Sequence, residues 1–413
     1  MSPRPGAVSP SALAEPVSSH DDRTGAPSGV LDRIQGPLDL ARAWAGRDCL
    51  ALMVSGSHAA GEAVWVSYAG RTVSLSDLDL YAVVPNLAAK RAALARARAA
   101  RVGLGQRLLA MGLAAPLEVG FHTPADLAAL PARPGTLALR RTGRVVDGDR
   151  AWLASVPAWS AGDVSAEEVR LLLENRGFEL LWAAHEPADP GRSELAALAR
   201  RHAVLKCALE LAAVLALTAG EYPERACERV AWARPRWDPA RSPEPPWEEA
   251  LAWREGRVVG LAPAVARDER RRTVAAWVAV WRRLADGPAY PTDPFAAVRE
   301  TARRAPLRRR FSRALGADPR EACLAGPLAR VRYAGAGTPW HRLNAAAAAE
   351  LIVEAERDAV AGRGIGELEA LEHRHHEVLR ALGFAGDPSR AGQALVRAWD
   401  RCILDGQRTE RWP

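Results

Sequence analysis

Cysteine, lysine and long apolar runs are what this chain has least of. Its five cysteines, Cys49, Cys207, Cys227, Cys323 and Cys402, are scattered and form no C-x-x-C pair. Neither a disulfide framework nor a zinc ribbon is indicated, and a reducing cytoplasm is the expected location. The longest apolar run, 207–220, is interrupted by Glu210 and is too short to span a bilayer. The first thirty residues carry Pro and Ser without an apolar h-region, so secretion and membrane insertion are not expected. Of 56 basic residues only Lys90 and Lys206 are lysines. The rest are arginine, which alongside 33 Gly and 30 Pro reads as GC-rich codon usage, so arginine content alone says little about function.

What is present is ample core-forming material. Apolar residues make up 48% and charged residues 25% of the 413, the balance of a globular protein. A single core stops growing near ~250–300 residues, so two or three folded units are expected. The net charge of +7 favours an anionic partner, a nucleotide or a nucleic acid, only mildly.

Along the chain, 1–30 reads as a disordered leader. From 31 to about 160 the pattern alternates: a helix over 38–47, an apolar strand over 49–54, a strand over 78–84, one long Ala/Arg helix over 87–112 and a strand over 117–121. After Asp163 the strand signals stop. Ser165 followed by Glu168 is a capping box opening a helix to 182, and a second long helix runs over 193–219, ended by Gly220. Further helices are expected at 268–284, 293–315, 341–361 and 366–382, with the Pro/Trp-rich stretch 234–253 as the loosest point. The expected architecture is therefore an α+β unit over 31–160, a mixed sheet flanked by helices, followed by all-α regions over 164–290 and 291–413.

The chemistry concentrates in Val54-Ser55-Gly56-Ser57 and in Ser76-Asp77-Leu78-Asp79-Leu80. A Gly56-Ser57 turn leaving a buried strand is sterically open, so its backbone N–H groups and hydroxyl can approach phosphate oxygens. Asp77 and Asp79 stand two apart at the start of an apolar strand. The period of 2 puts both carboxylates on one face, roughly 6–7 Å apart. Hard oxygen ligands at that spacing suit Mg²⁺ shared with substrate phosphates. A third acid is expected on a neighbouring strand, and Glu118 is the only charge in Leu117-Glu118-Val119-Gly120-Phe121.

Gly56-Ser57, Asp77-x-Asp79 and Glu118 together resemble the signature of the polymerase-β-like nucleotidyltransferase superfamily, over roughly 38–149. The segment 142–149 is similar to the one that closes that domain. The resemblance implies two Mg²⁺ ions held by Asp77, Asp79 and Glu118. It also implies an NTP, ATP being the most plausible, as co-substrate, and Glu118 as general base toward an acceptor hydroxyl. Ser57 and Asp77 stand further apart than the family's pattern has them, and 61–74 reads as an inserted hairpin on the acceptor side. The helical region resembles that of minimal and antibiotic-modifying members: 205–211, the 218–223 turn and Arg229 are similar to their long helix and its exit. Lys206, inside an expected amphipathic helix, has two readings: a point charge for the β/γ-phosphates, or a snorkelling surface lysine.

The expected activity is transfer of a nucleoside monophosphate to a hydroxyl of a small molecule, a protein or a tRNA end, with release of pyrophosphate. Two alternatives are a catalytically silent nucleotide-binding regulatory module and an RNA-binding protein. The latter would use 299–313, where seven arginines meet one acid. His373, His375 and His376 read as a solvated helix face rather than a metal cluster, since their positions fan out around a helix. Trp277 and Trp281, four apart, read as core.

Overall fold

The computed structural model describes residues 32–184, 193–257, 263–286, 339–361, 365–381, 392–393 and 395–396. The expected leader 1–30, the expected helix 293–315 and the arginine-rich segment 299–313 lie outside the described residues. The described chain is mixed α/β, with a small mixed sheet and many helices. Among the described residues, no helix is long and apolar enough to cross a membrane.

The first part runs α1 (Gln35–Ala45), β1 (Ala51–Ser55), α2 (Gly56–Ala60), β2 (Trp65–Tyr68), β3 (Arg71–Ser74), β4 (Leu78–Val83), α3 (Leu87–Ala99), α4 (Leu104–Ala110), β5 (Leu117–His122), α5 (Pro124–Ala128), α6 (Pro134–Thr142), β6 (Arg144–Gly148) and α7 (Ala151–Ala154). Four strands form one sheet in the order β5-β4-β1-β6. β4 and β5 are parallel, and the other two pairings are antiparallel. All five residues of β1 are buried, as a central strand covered on both faces requires. Leu52, Val54, Leu78, Leu80 and Ala82 pack under α1, α3 and α4, against Leu38, Trp44, Ala93 and Leu108. Ala51, Met53 and Val83 face the other way, toward Leu127, Leu139 and Val156.

Two differences from the expected pattern are local. The single helix over 87–112 is two helices, because the chain turns at Gly103, whose φ of 65° is a left-handed conformation that a helix interior does not accommodate. The segment 61–74 contains a hairpin as expected, with Trp65 paired to Ser74 and Tyr68 to Arg71. Its two-residue turn carries positive φ at both Ala69 and Gly70, the shape whose twist matches the flanking strands. The hairpin is not an isolated flap: Val64, Val66 and Val73 share one buried cluster with Leu205, Leu209, Val230 and Trp247 of the helical part.

Beyond Gly148 the described residues contain no strand. The helices are α8 (Ala166–Ala184), α9 (Ser193–Thr218), α10 (Ala226–Ala233), α11 (Trp247–Arg254), α12 (Pro263–Asp286), α13 (Pro339–Ala361) and α14 (Ile365–Ala381). Ser165 Oγ accepts from Glu168 N at 3.3 Å, capping α8. α9 is the axis, with α8, α10, α11 and α12 packed around it. It is not the amphipathic helix expected: Leu198, Leu205, Leu209, Ala212, Val214 and Leu217 are buried on all sides, as for a helix running through a core.

The Pro/Trp-rich stretch is also more ordered than expected. α11 starts inside it, Trp247 and Trp253 are buried, and Trp247 Nε1 donates to Ala208 O at 2.8 Å. Trp277 and Trp281 are core, stacked with centroids 6.2 Å apart. The histidines differ from expectation in one respect: His373 is solvated, but His375 is buried, its Nε2 3.2 Å from Glu350 Oε1 on α13.

Candidate active site

A cleft of about 270 Å³ opens between the sheet and the helical part, and every site residue expected from the sequence lines it: Gly56, Ser57, Asp77, Asp79, Glu118 and Lys206. The strands explain why the acids meet. Asp79 lies opposite Ser55 of β1 on one side and opposite Glu118 of β5 on the other. Residues opposite each other share a face, and the period of 2 brings Asp77 to the same face. It is the face that β1 leaves with its chain turning at Gly56. There φ is +67°, and a Cβ would stand 2.8 Å from Asp79 Oδ2, so only glycine lets the turn pass this close to the carboxylate.

Three carboxylates so placed disfavour one another's charge. Burial first, then the charge of Asp77, pushes the Asp79 carboxyl above its ordinary range, against the pull of Lys206 and Arg176. Glu118 opens onto the cleft solvent but is ringed by protein; that desolvation, then Asp79 and Asp77, raises its carboxyl as well.

The opposite wall belongs to the helices. A helix buried almost all round has to account for its polar positions, and His202, Lys206 and Glu210 recur every four residues along α9 as a single stripe on the cleft. Lys206 is not a surface lysine: its side chain is 15% exposed and its Nζ donates to Asp77 Oδ2, with Glu179 Oε1 3.6 Å away. Glu179 in turn accepts from Arg176 Nη1 at 2.5 Å. Burial and Arg176 oppose the ammonium's charge, but Asp77 and Glu179 outweigh them and hold its pKa above the ordinary value. His202 Nδ1 accepts from Trp253 Nε1 at 3.2 Å; burial and then Lys206 bring its pKa down to about 3, so the ring is neutral.

At the far end, Arg229 lies over the Tyr222 ring at 5.4 Å and donates to Glu224 O at 2.7 Å. Arg141 of α6 donates to Tyr222 O at 2.7 Å. Glu62, just before the hairpin, accepts from Ala226 N at 2.8 Å and from Arg254. These bonds tie the sheet to the helices around the cleft.

The donor chemistry fits a hard divalent cation: three carboxylates line one side of the cleft, two of them with their charge disfavoured first by burial and then by the neighbouring acids. The set is not closed as it stands. Asp77 is engaged by Lys206, and among the described residues no three His, Cys, Asp or Glu side chains come together as a ligating group.

Arg176, Glu179, His202 and Glu62 were not singled out from the sequence. The one legible signal was the four-residue spacing of His202, Lys206 and Glu210 inside an otherwise apolar helix. No protein-family model matches the chain, and no curated protein matches it.

Proposed function

We propose that the chain is a metal-dependent nucleotidyltransferase with a polymerase-β-like core, moving a nucleoside monophosphate, AMP from ATP, onto an acceptor hydroxyl and releasing pyrophosphate. The observation that carries the reading is the register of Asp79 against Glu118, with Asp77 on the same face, above a Gly56-Ser57 turn and across from a lysine.

In this reaction the acceptor oxygen attacks the α-phosphorus, and the bond to the α,β-bridging oxygen breaks. Asp77, Asp79 and Glu118 would hold divalent cations, which would supply charge neutralisation at the α-phosphate and a lower acceptor pKa. Glu118, opposite Asp79 on β5, would take the acceptor's proton, its carboxylate charge favoured by the bound cation. Gly56 and Ser57 offer an open turn to the phosphates. Lys206 offers a point charge for the pyrophosphate that leaves.

Incubation with labelled ATP, Mg²⁺ and a cell extract is the direct test. Labelled AMP on an acceptor together with pyrophosphate is expected, and neither with Asp79→Asn. Tight Mg·ATP binding without pyrophosphate release across acceptor mixtures would favour a silent nucleotide-binding module instead.

A further inference from the structure

The Lys206–Asp77 bond sits awkwardly with a lysine whose only task is to hold phosphates. Its ammonium is bonded to the first acid of the Asp-x-Asp pair, and both side chains are largely buried, 15% and 18% exposed. Glu179 stands behind it at 3.6 Å, already paired with Arg176. Asp79 and Glu118 face each other from paired strands without such a partner from α9. One acid of three is therefore neutralised by the protein's own cation.

From this placement we infer that Lys206 is the resident counter-ion of Asp77 in the nucleotide-free protein, so that a divalent cation completes its ligand set only when a triphosphate draws the ammonium away. The inference rests on the proposed nucleotidyl transfer and adds a positioning role: Lys206 makes cation binding conditional on nucleotide. No bond is made or broken; two cations exchange partners. Asp77 passes from ammonium to metal, and Lys206 from carboxylate to phosphate oxygens. Free metal then meets a site with a positive charge already in it, whereas metal carried by a triphosphate brings the anion that displaces that charge.

The chain has only two lysines, which makes the wild-type protein testable. Lys90 is held by Asp126 at 2.8 Å, away from the cleft. With ¹⁵Nζ-labelled lysine, Lys90→Arg assigns the Lys206 resonance. Mg²⁺ alone should leave that resonance in place, and Mg²⁺ with a non-hydrolysable ATP analogue should shift it. In parallel, Mn²⁺ titration followed by electron paramagnetic resonance, without nucleotide, should show Lys206→Gln binding Mn²⁺ about tenfold or more tighter than wild type, with Lys206→Arg unchanged.

A merely structural salt bridge would lower the melting temperature of Lys206→Gln without tightening Mn²⁺ binding, and that result overturns the inference. So does a Lys206 resonance unmoved by bound Mg·analogue. If the wild type binds neither Mn²⁺ nor Mg·analogue, the reading of the cleft as a nucleotide site falls, and the inference with it.

Discussion

Asp79 and Glu118 hold their protons more tightly in the folded protein than in an unfolded chain, and that sets a direction for metal-free stability. A carboxyl raised by folding stabilises the fold below its unfolded pKa and loses that contribution as pH rises through the folded value. The contribution of these two acids to metal-free stability should therefore fall from about pH 4 to about pH 8, against the buried neutral rings of His202 and His58, which act in the opposite sense below about pH 6.5. The difference in melting temperature between wild type and Asp79→Asn should shift in the variant's favour as pH rises, and so should that for Glu118→Gln; differences that do not change with pH would remove the charge conflict from the site. Asp77→Asn should behave differently, because it strands the Lys206 ammonium beside Glu179 and costs about 1–3 kcal/mol, measured by denaturant titration. Glu118→Gln should lose turnover yet retain nucleotide binding better than either Asp variant. These three acids were legible in the sequence because Asp-x-Asp has the strand period and Glu118 is a lone charge in an apolar run. Arg176 and Glu179 were not, since charges on a helix are ordinary and only tertiary packing decides which of them meets a cleft.

Among the elements, α9 and its neighbours carry the most consequence. Arg201 reaches Glu269 of α12 through two bonds, 2.8 and 2.6 Å long, with both side chains at most 3% exposed. Glu269→Ala breaks this two-bond buried ion pair and should destabilise by about 3–5 kcal/mol. Gly177 on α8 admits Trp277 so closely that a Cβ would lie 2.9 Å from the ring's Cζ2 and 3.3 Å from Leu351. Gly177→Ala should cost about 1–3 kcal/mol through overpacking, visible as a lower melting temperature without loss of helix signal at low temperature. Most of these helices were readable from their caps and apolar runs. The break at Gly103 is not resolved by reading 87–112 as one run, although Gly103 and Gly105 end the Ala/Arg pattern there, and α11 is hidden by the prolines that precede it. Neither the apolar period nor composition reports that α9 is enclosed; that follows from which helices surround it.

Across the whole molecule, the bonds that tie the two halves of the cleft include Glu62 to α10 and α11, Arg141 to the Tyr222 turn, Arg133 to Glu168, and Lys206 to Asp77. Glu62→Ala touches none of the three acids. It should nevertheless lower catalytic efficiency while leaving free Mn²⁺ binding unchanged, because it loosens the hairpin against the helices that face it. The pairing of Asp79 with Glu118 has a different kind of consequence, for the lengths of chain this gene can tolerate. A single-codon deletion inside Leu78–Val83 or Leu117–His122 turns one acid to the opposite face of the sheet, whereas a deletion at Val102 changes only the connection between α3 and α4. A library of one-residue deletions selected for transfer activity should therefore be emptied at the two strands and populated at the loops between them, its gaps marking the reading frame of the site.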